Sequence, residues 1–319
     1  MTSQERAVAL AARIAHRLIA IDGVAAVALG GSRARGTATP ESDVDLGLYY
    51  HASHPPALDH LNALAAEMDD ERREGLATNF GEWGAWVNGG AWLRVEGVAV
   101  DWLYRDMGRV TEVIQACRRG EVTCDYYLGH PHGFHNHIYL GEVHCALPLE
   151  DPGNGLNALK LLVAQYPPEM RARIVSRYVY DARFMLQAGR RSAARGDVMH
   201  AAGCLFRVVA ALVQVLYALN ERYFVSEKGS VAEIEGMPMR PARWSSTVSG
   251  LLGAPGTTPQ RLLHSGERAE RLVGAVEELC RREGLQMSGM LPSGTLPGGM
   301  LPGGMLPSET LPGGTLPSG

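Results

Sequence analysis

Apolar residues recur at helical intervals over residues 3–20, where Val8, Leu10, Ile14, Leu18 and Ile19 predict an amphipathic helix ended by Gly23. The pattern then changes to an unbroken apolar run, Val24–Leu29, which predicts a buried strand and stops at Gly30-Gly31-Ser32. A short helix over Arg33–Gly36 and a polar loop over Thr37–Ser42 follow. Val44, Leu46 and Leu48 alternate with Asp43, Asp45 and Gly47, predicting a second strand with one acidic face. A helix over Ala57–Met68 comes next. A hairpin of Trp83–Val87 with Ala91–Val95 around Asn88-Gly89-Gly90, and a third core strand at Val98–Tyr104, complete the front of the chain.

Asp151-Pro152-Gly153-Asn154 reads as a turn and a boundary, and beyond it the period is helical: 155–166, 169–190, 197–222, 241–252 and 259–283. The pattern predicts an α+β fold. A small mixed sheet with flanking helices fills residues 1–150, and an all-helical bundle fills 151–285. From Met290 the chain runs MLPSG, TLPGG, MLPGG, MLPSE, TLPGG, TLPSG, six pentapeptides whose repeated proline and glycine cannot build a helix. Residues 286–319 are therefore predicted to form a disordered low-complexity tail.

Composition narrows the classes. Of 319 residues, 46% are hydrophobic and 20% charged, which suits a globular protein and excludes a coiled coil, a polyelectrolyte and a disulfide miniprotein. A net charge of −4 lacks the basic excess of a protein that coats nucleic acid. Glu5, Arg6, Arg13, His16 and Arg17 interrupt the first helix too often for a signal-peptide core. The apolar run Val208–Leu219, broken by Gln214, is too short to span a bilayer. Five cysteines, odd in number and widely spaced, point away from a disulfide framework and toward a reducing cytoplasm.

The candidate chemistry gathers in Gly30-Gly31-Ser32-Arg33-Ala34-Arg35-Gly36 and Pro40-Glu41-Ser42-Asp43-Val44-Asp45-Leu46. Two glycines between a strand and a helix let backbone amides approach a phosphate, and the Ser32 hydroxyl adds a donor. Asp43 and Asp45 project from one face of a strand and can hold a divalent metal, and Asp101, central on another strand, could complete a three-carboxylate cluster. Asp45 sits amid Val44, Leu46 and Leu48, where a carboxylate without a partner would be costly. Such a cluster suits Mg²⁺. Two ions could activate an attacking hydroxyl and neutralise leaving pyrophosphate, the chemistry of in-line displacement at a nucleotide's α-phosphate.

This constellation resembles the polymerase-β-like nucleotidyltransferase superfamily, whose pattern is Gly-Ser, a loop, Asp-x-Asp and a later strand carboxylate. The string GGSRARGTATPESDVDLGLYY is similar to the small bacterial nucleotidyltransferases that include the aminoglycoside and lincosamide adenylyltransferases. The resemblance implies Asp43, Asp45 and Asp101 as catalytic and metal-binding residues, Asp101 also assisting deprotonation. It implies Gly31 and Ser32 at the phosphates, with ATP or another NTP as co-substrate and two Mg²⁺ ions; Gly30, Arg33 and Ser42 are further candidates at the nucleotide, and Arg33 and Arg35 read either as phosphate contacts or as solvated cations on the short helix. A helical C-terminal domain is common in that group, and here it would shape the acceptor pocket.

Of 30 basic residues only Lys160 and Lys228 are lysine. Lys228, just past a long apolar helix, can reach a triphosphate as a point charge, and similar nucleotidyltransferases use a basic residue of the helical domain in this way. Lys160 is predicted to face solvent opposite the apolar stripe of its helix. Five of eleven histidines fall between 130 and 144 at irregular spacing. A zinc site is one reading of them; the other is an inter-domain loop lining the acceptor cleft, with Glu142 as its base. Tyr126, Tyr127, Phe134 and Trp102 are predicted to pack in the core or between domains.

The expected function is Mg²⁺-dependent transfer of AMP from ATP to a hydroxyl of a small molecule, an antibiotic among the candidates. The rivals are a protein acceptor of the antitoxin type, RNA tailing, and a nucleotide-binding module without catalysis. Charge disfavours nucleic acid, no membrane partner is expected, and a homodimer through the helical half stays open.

Overall fold

Thr2 and Glu5 start the first helix by capping each other: Glu5 N–H donates to Thr2 Oγ1 at 3.2 Å and Thr2 N–H to Glu5 Oε2 at 2.7 Å. A computed structural model describes residues 2–287 of the chain, and the pentapeptide tail lies outside the described residues. The front runs α1 (Ser3–Leu18), β1 (Val24–Leu29), a one-turn α2 (Gly31–Ala34), β2 (Val44–Tyr50), α3 (Leu58–Met68), β3 (Gly90–Val95) and β4 (Val98–Asp106). Then come α4 (Met107–Arg118), β5 (Cys124–Tyr127), β6 (His130–His135), α5 (Ile138–Cys145) and β7 (Leu147–Glu150). The back is helical: α6 (Gly155–Leu162), α7 (Pro168–Ala194), α8 (Val198–Leu219), α9 (Ser230–Glu235), α10 (Trp244–Gly253) and α11 (Pro259–Arg282).

Five strands form one mixed sheet in the order β3-β4-β2-β1-β7, parallel only between β2 and β4. The alternation along β2 divides the molecule. Val44, Leu46 and Leu48 point into a core closed by Leu10, Ile14 and Leu18 of α1 and Leu61 of α3. On the other face Ala26, Ala28 and Tyr49 join a larger core built by α4, α5 and the bundle of α7, α8 and α11. Residues of α4, β6 and α5 belong to this second core, so the helical half grips the sheet directly. The α+β architecture matches the periodicity.

The structure departs from expectation in three places. Residues 83–87 form no strand; β3 pairs instead with β4 across Glu96-Gly97. Both turn residues have positive φ, 52° and 76°, the mirror-image turn that fits strand twist. Second, the histidine-rich segment is the β5–β6 hairpin followed by α5, hidden because polar side chains in short strands leave no apolar alternation. Third, α8 is longer than its apolar run. By length and composition it could cross a membrane, yet 78% of its most apolar window is buried inside the protein. Leu285 and Met287 still pack on the helical core, and all five cysteines are free.

Candidate active site

The turn after β1 is built against the central carboxylate. Gly30 N–H donates to the Asp45 carbonyl at 2.8 Å. Gly31 has a φ of +60°, and a Cβ there would overlap Asp45 Oδ2, so only glycine lets the turn and the acid share the space. Arg33, expected at the phosphates, is a correction. It is buried and donates from Nε to the Asp43 carbonyl at 2.8 Å, from Nη1 to Gln4 Oε1 at 3.0 Å, and from Nη2 to the Ser42 carbonyl. Its donors are used inward, stapling the acidic loop to α2. Ser42 also closes that loop, its Oγ accepting from Thr39 N–H at 2.9 Å, while remaining at the cleft wall.

Gly30, Gly31, Ser32, Asp43 and Asp45 line one wall of a cleft of about 460 Å³. Glu142 and Cys145 of α5 also line the cleft, and the helical half adds Val225, Ser226 and Lys228 from the loop before α9. Burial pushes the Asp45 carboxyl up, the charges of Asp43 and Glu142 add to the rise, and Lys228 and Arg35 pull against it. Asp101 is pushed up to about 6 by burial and then by the charges of Asp45 and Asp43, with Lys228 opposing. Asp101 pairs in register with Asp45 on β2 and with Trp92 on β3. It lines a shallower concavity of about 330 Å³ beside the cleft, with Trp92, Arg94, Glu71 and Arg73.

Among the described residues no group of three or more His, Cys, Asp or Glu side chains is already gathered to hold a metal ion. The expected cluster is a row across two strands instead: Asp43 and Asp45 in the cleft, Asp101 one strand over. This donor set fits a hard divalent cation. It is all oxygen, burial and then like charges hold Asp45 and Asp101 above their ordinary range, and it stands beside a turn suited to phosphates that would bring further oxygens.

Glu142 is not free to act as a base. Both its oxygens accept from the buried Arg105, from Nε and Nη2 at 2.9 Å each. His132, His135 and His137 are buried, whereas His130 is partly exposed beside Glu227. Burial holds His132 and His137 down at about 4 and His135 well below the usual value. His137 Nε2 donates to Gln214 Oε1 at 3.0 Å, and His135 Nδ1 shares a 2.7 Å hydrogen bond with the Tyr178 hydroxyl. Lys160 does not project into solvent. Its ammonium donates to the carbonyls of Val143, His144 and Ala146 at 3.1, 2.7 and 2.6 Å, capping the end of α5. Phe134 and Trp102 are buried as expected, whereas Tyr126 is 93% exposed at the hairpin tip.

Of the two arginines read from the sequence as phosphate contacts or solvated cations, it is Arg35 that lines the cleft, 3.6 Å from Glu233 of α9, joining the Gly30–Ser32 turn to the helical half. Arg105, which the sequence did not single out, also lines the cleft. Arg35 stands two residues from Arg33 and only the turn of α2 decides which guanidinium looks outward. Arg105 carried no motif signal.

Residues 12–79 match the family model of the nucleotidyltransferase domain, a span that includes Gly31, Ser32, Asp43 and Asp45 but ends before Asp101 and Lys228. No curated protein matches the chain. Among solved structures, a nucleotidyltransferase-like protein from Exiguobacterium sibiricum 255-15 is similar at 12% identity, over 86% of this chain and 79% of that one, with a TM-score of 0.43.

Proposed function

We propose that this chain, a nucleotidyltransferase with a polymerase-β-like catalytic domain, moves AMP from ATP to a hydroxyl of a small molecule and releases pyrophosphate. One observation carries the reading: the Gly30–Ser32 turn and the Asp43–Asp45 pair face Lys228 across a single cleft. The turn amides and Ser32 hold the phosphates, and Lys228 and Arg35 add positive charge there. Asp43 and Asp45 would hold Mg²⁺, which when bound neutralises charge on the phosphate oxygens. The acceptor oxygen forms a bond to the α-phosphorus as the bond from that phosphorus to the bridging oxygen breaks. Pyrophosphate leaves with the electron pair, and the hydroxyl proton passes to Asp101. A cleft of about 460 Å³ falls in the size range of small-molecule sites, which supports a nucleotide as its occupant.

The test is incubation with α-labelled ATP and Mg²⁺ against panels of hydroxylated small molecules (antibiotics included), proteins and tRNA, beside Asp43→Asn/Asp45→Asn. Label is expected on a small molecule and absent with the variant. Label on protein or tRNA alone would refute the acceptor class; transfer undiminished in the variant would refute the site.

A further inference from the structure

We infer that the acceptor is a ring-bearing alcohol whose flat face stacks on Trp92, in the concavity that begins at Asp101. The inference rests on the nucleotidyl-transfer reading above. Three adjacent strands place Asp45, Asp101 and Trp92 in one row on one face of the sheet, because register partners share a face. The row has a direction. At its Asp45 end lies the phosphate turn, tied to that residue through Gly30 and Gly31. In-line displacement requires the nucleophile to enter opposite the leaving pyrophosphate. With the phosphates on the turn, the acceptor hydroxyl arrives from the far end, past Asp101, where Trp92 stands.

That far end is shaped for a ring. Trp92 is 60% exposed, and Trp83 stacks against it with centroids 4.4 Å apart and planes 19° apart. Trp83 is itself held, its carbonyl accepting from the Tyr127 hydroxyl. A backed indole of this kind is a rigid surface that needs no reordering when a ring settles on it. The walls carry Arg73 and Arg94 beside Glu71 and Asp101, so the charges balance. Arg73 is further committed to the buried Asp69 at 2.6 Å. Selection there falls on ring shape rather than on net charge.

The full-length protein, labelled with 5-fluorotryptophan and loaded with Mg²⁺ and α,β-methylene-ATP, is titrated with benzyl alcohol and separately with glycerol. The Trp92 fluorine resonance is assigned by its loss in Trp92→Phe. Benzyl alcohol is expected to shift that resonance saturably and glycerol is not. In Trp92→Ala, benzyl alcohol binding, read at Trp83, weakens about tenfold. A Trp92 resonance that benzyl alcohol leaves unmoved, or that glycerol moves equally, overturns the inference. Phosphorus resonances of the nucleotide in the same samples report its binding, so failure of the nucleotide reading is seen separately from a silent Trp92.

Discussion

The Cα of Gly31 rests against the carboxylate of Asp45, and nothing larger than hydrogen fits between them. Gly31→Ala forces either the turn or the acid out of place, on a backbone with φ of +60° that alanine adopts poorly. Activity should fall about 100-fold, since small misplacements at a reacting centre cost that much. Gly30→Ala, whose added methyl would lie 3.8 Å from the Asp45 carbonyl, should cost far less. Steady-state kinetics on the two variants make the comparison, and equal effects would contradict the fit.

The two lysines should separate binding from stability. Lys228→Ala removes a cleft cation and should raise KM for MgATP about tenfold while leaving the melting temperature in place. Lys160→Met strands the carbonyls that Lys160 now satisfies and should cost roughly 1–3 kcal/mol of stability with KM unchanged. Thermal melts and nucleotide titrations on both proteins decide the assignment.

Glu142→Gln leaves the Arg105 guanidinium buried without its counter-charge and should destabilise by about 3 kcal/mol in urea unfolding. Arg105→Met/Glu142→Leu should recover part of that loss, because it removes both charges together. A Glu142→Gln protein of full stability but abolished kcat would mean that Glu142 is the base after all.

His137 sets a pH dependence. Its folded value of about 4 lies below the ordinary value of 6.5, so between these the unfolded chain binds a proton that the folded chain refuses. Its contribution to stability is fully present above about pH 6.5 and is lost as pH falls toward 4, by roughly 1.4 kcal/mol per pH unit. His137→Gln keeps a donor for Gln214 and does not titrate. The difference in unfolding free energy between the two proteins should shift in favour of the variant as pH drops from 7 to 4.5. A difference constant with pH would place the proton elsewhere.

The helical and strand periods of the sequence determined the architecture, because each depends on neighbours only a few positions away. α1, β1, β2, α7, α8 and α11 were legible for that reason. The glycine-serine turn and the Asp-x-Asp were equally legible, since that signature is contiguous, and the family match to residues 12–79 covers it. Tertiary structure decided what depends on partners far along the chain. It turned Arg33 inward and Arg35 outward, paired Glu142 with Arg105, spent Lys160 on α5, and set Trp92 beside Asp101. None of these contacts has a period. Each exists only because separate segments cross in space, and the energy of a buried charge or hydrogen bond is settled by what it meets there.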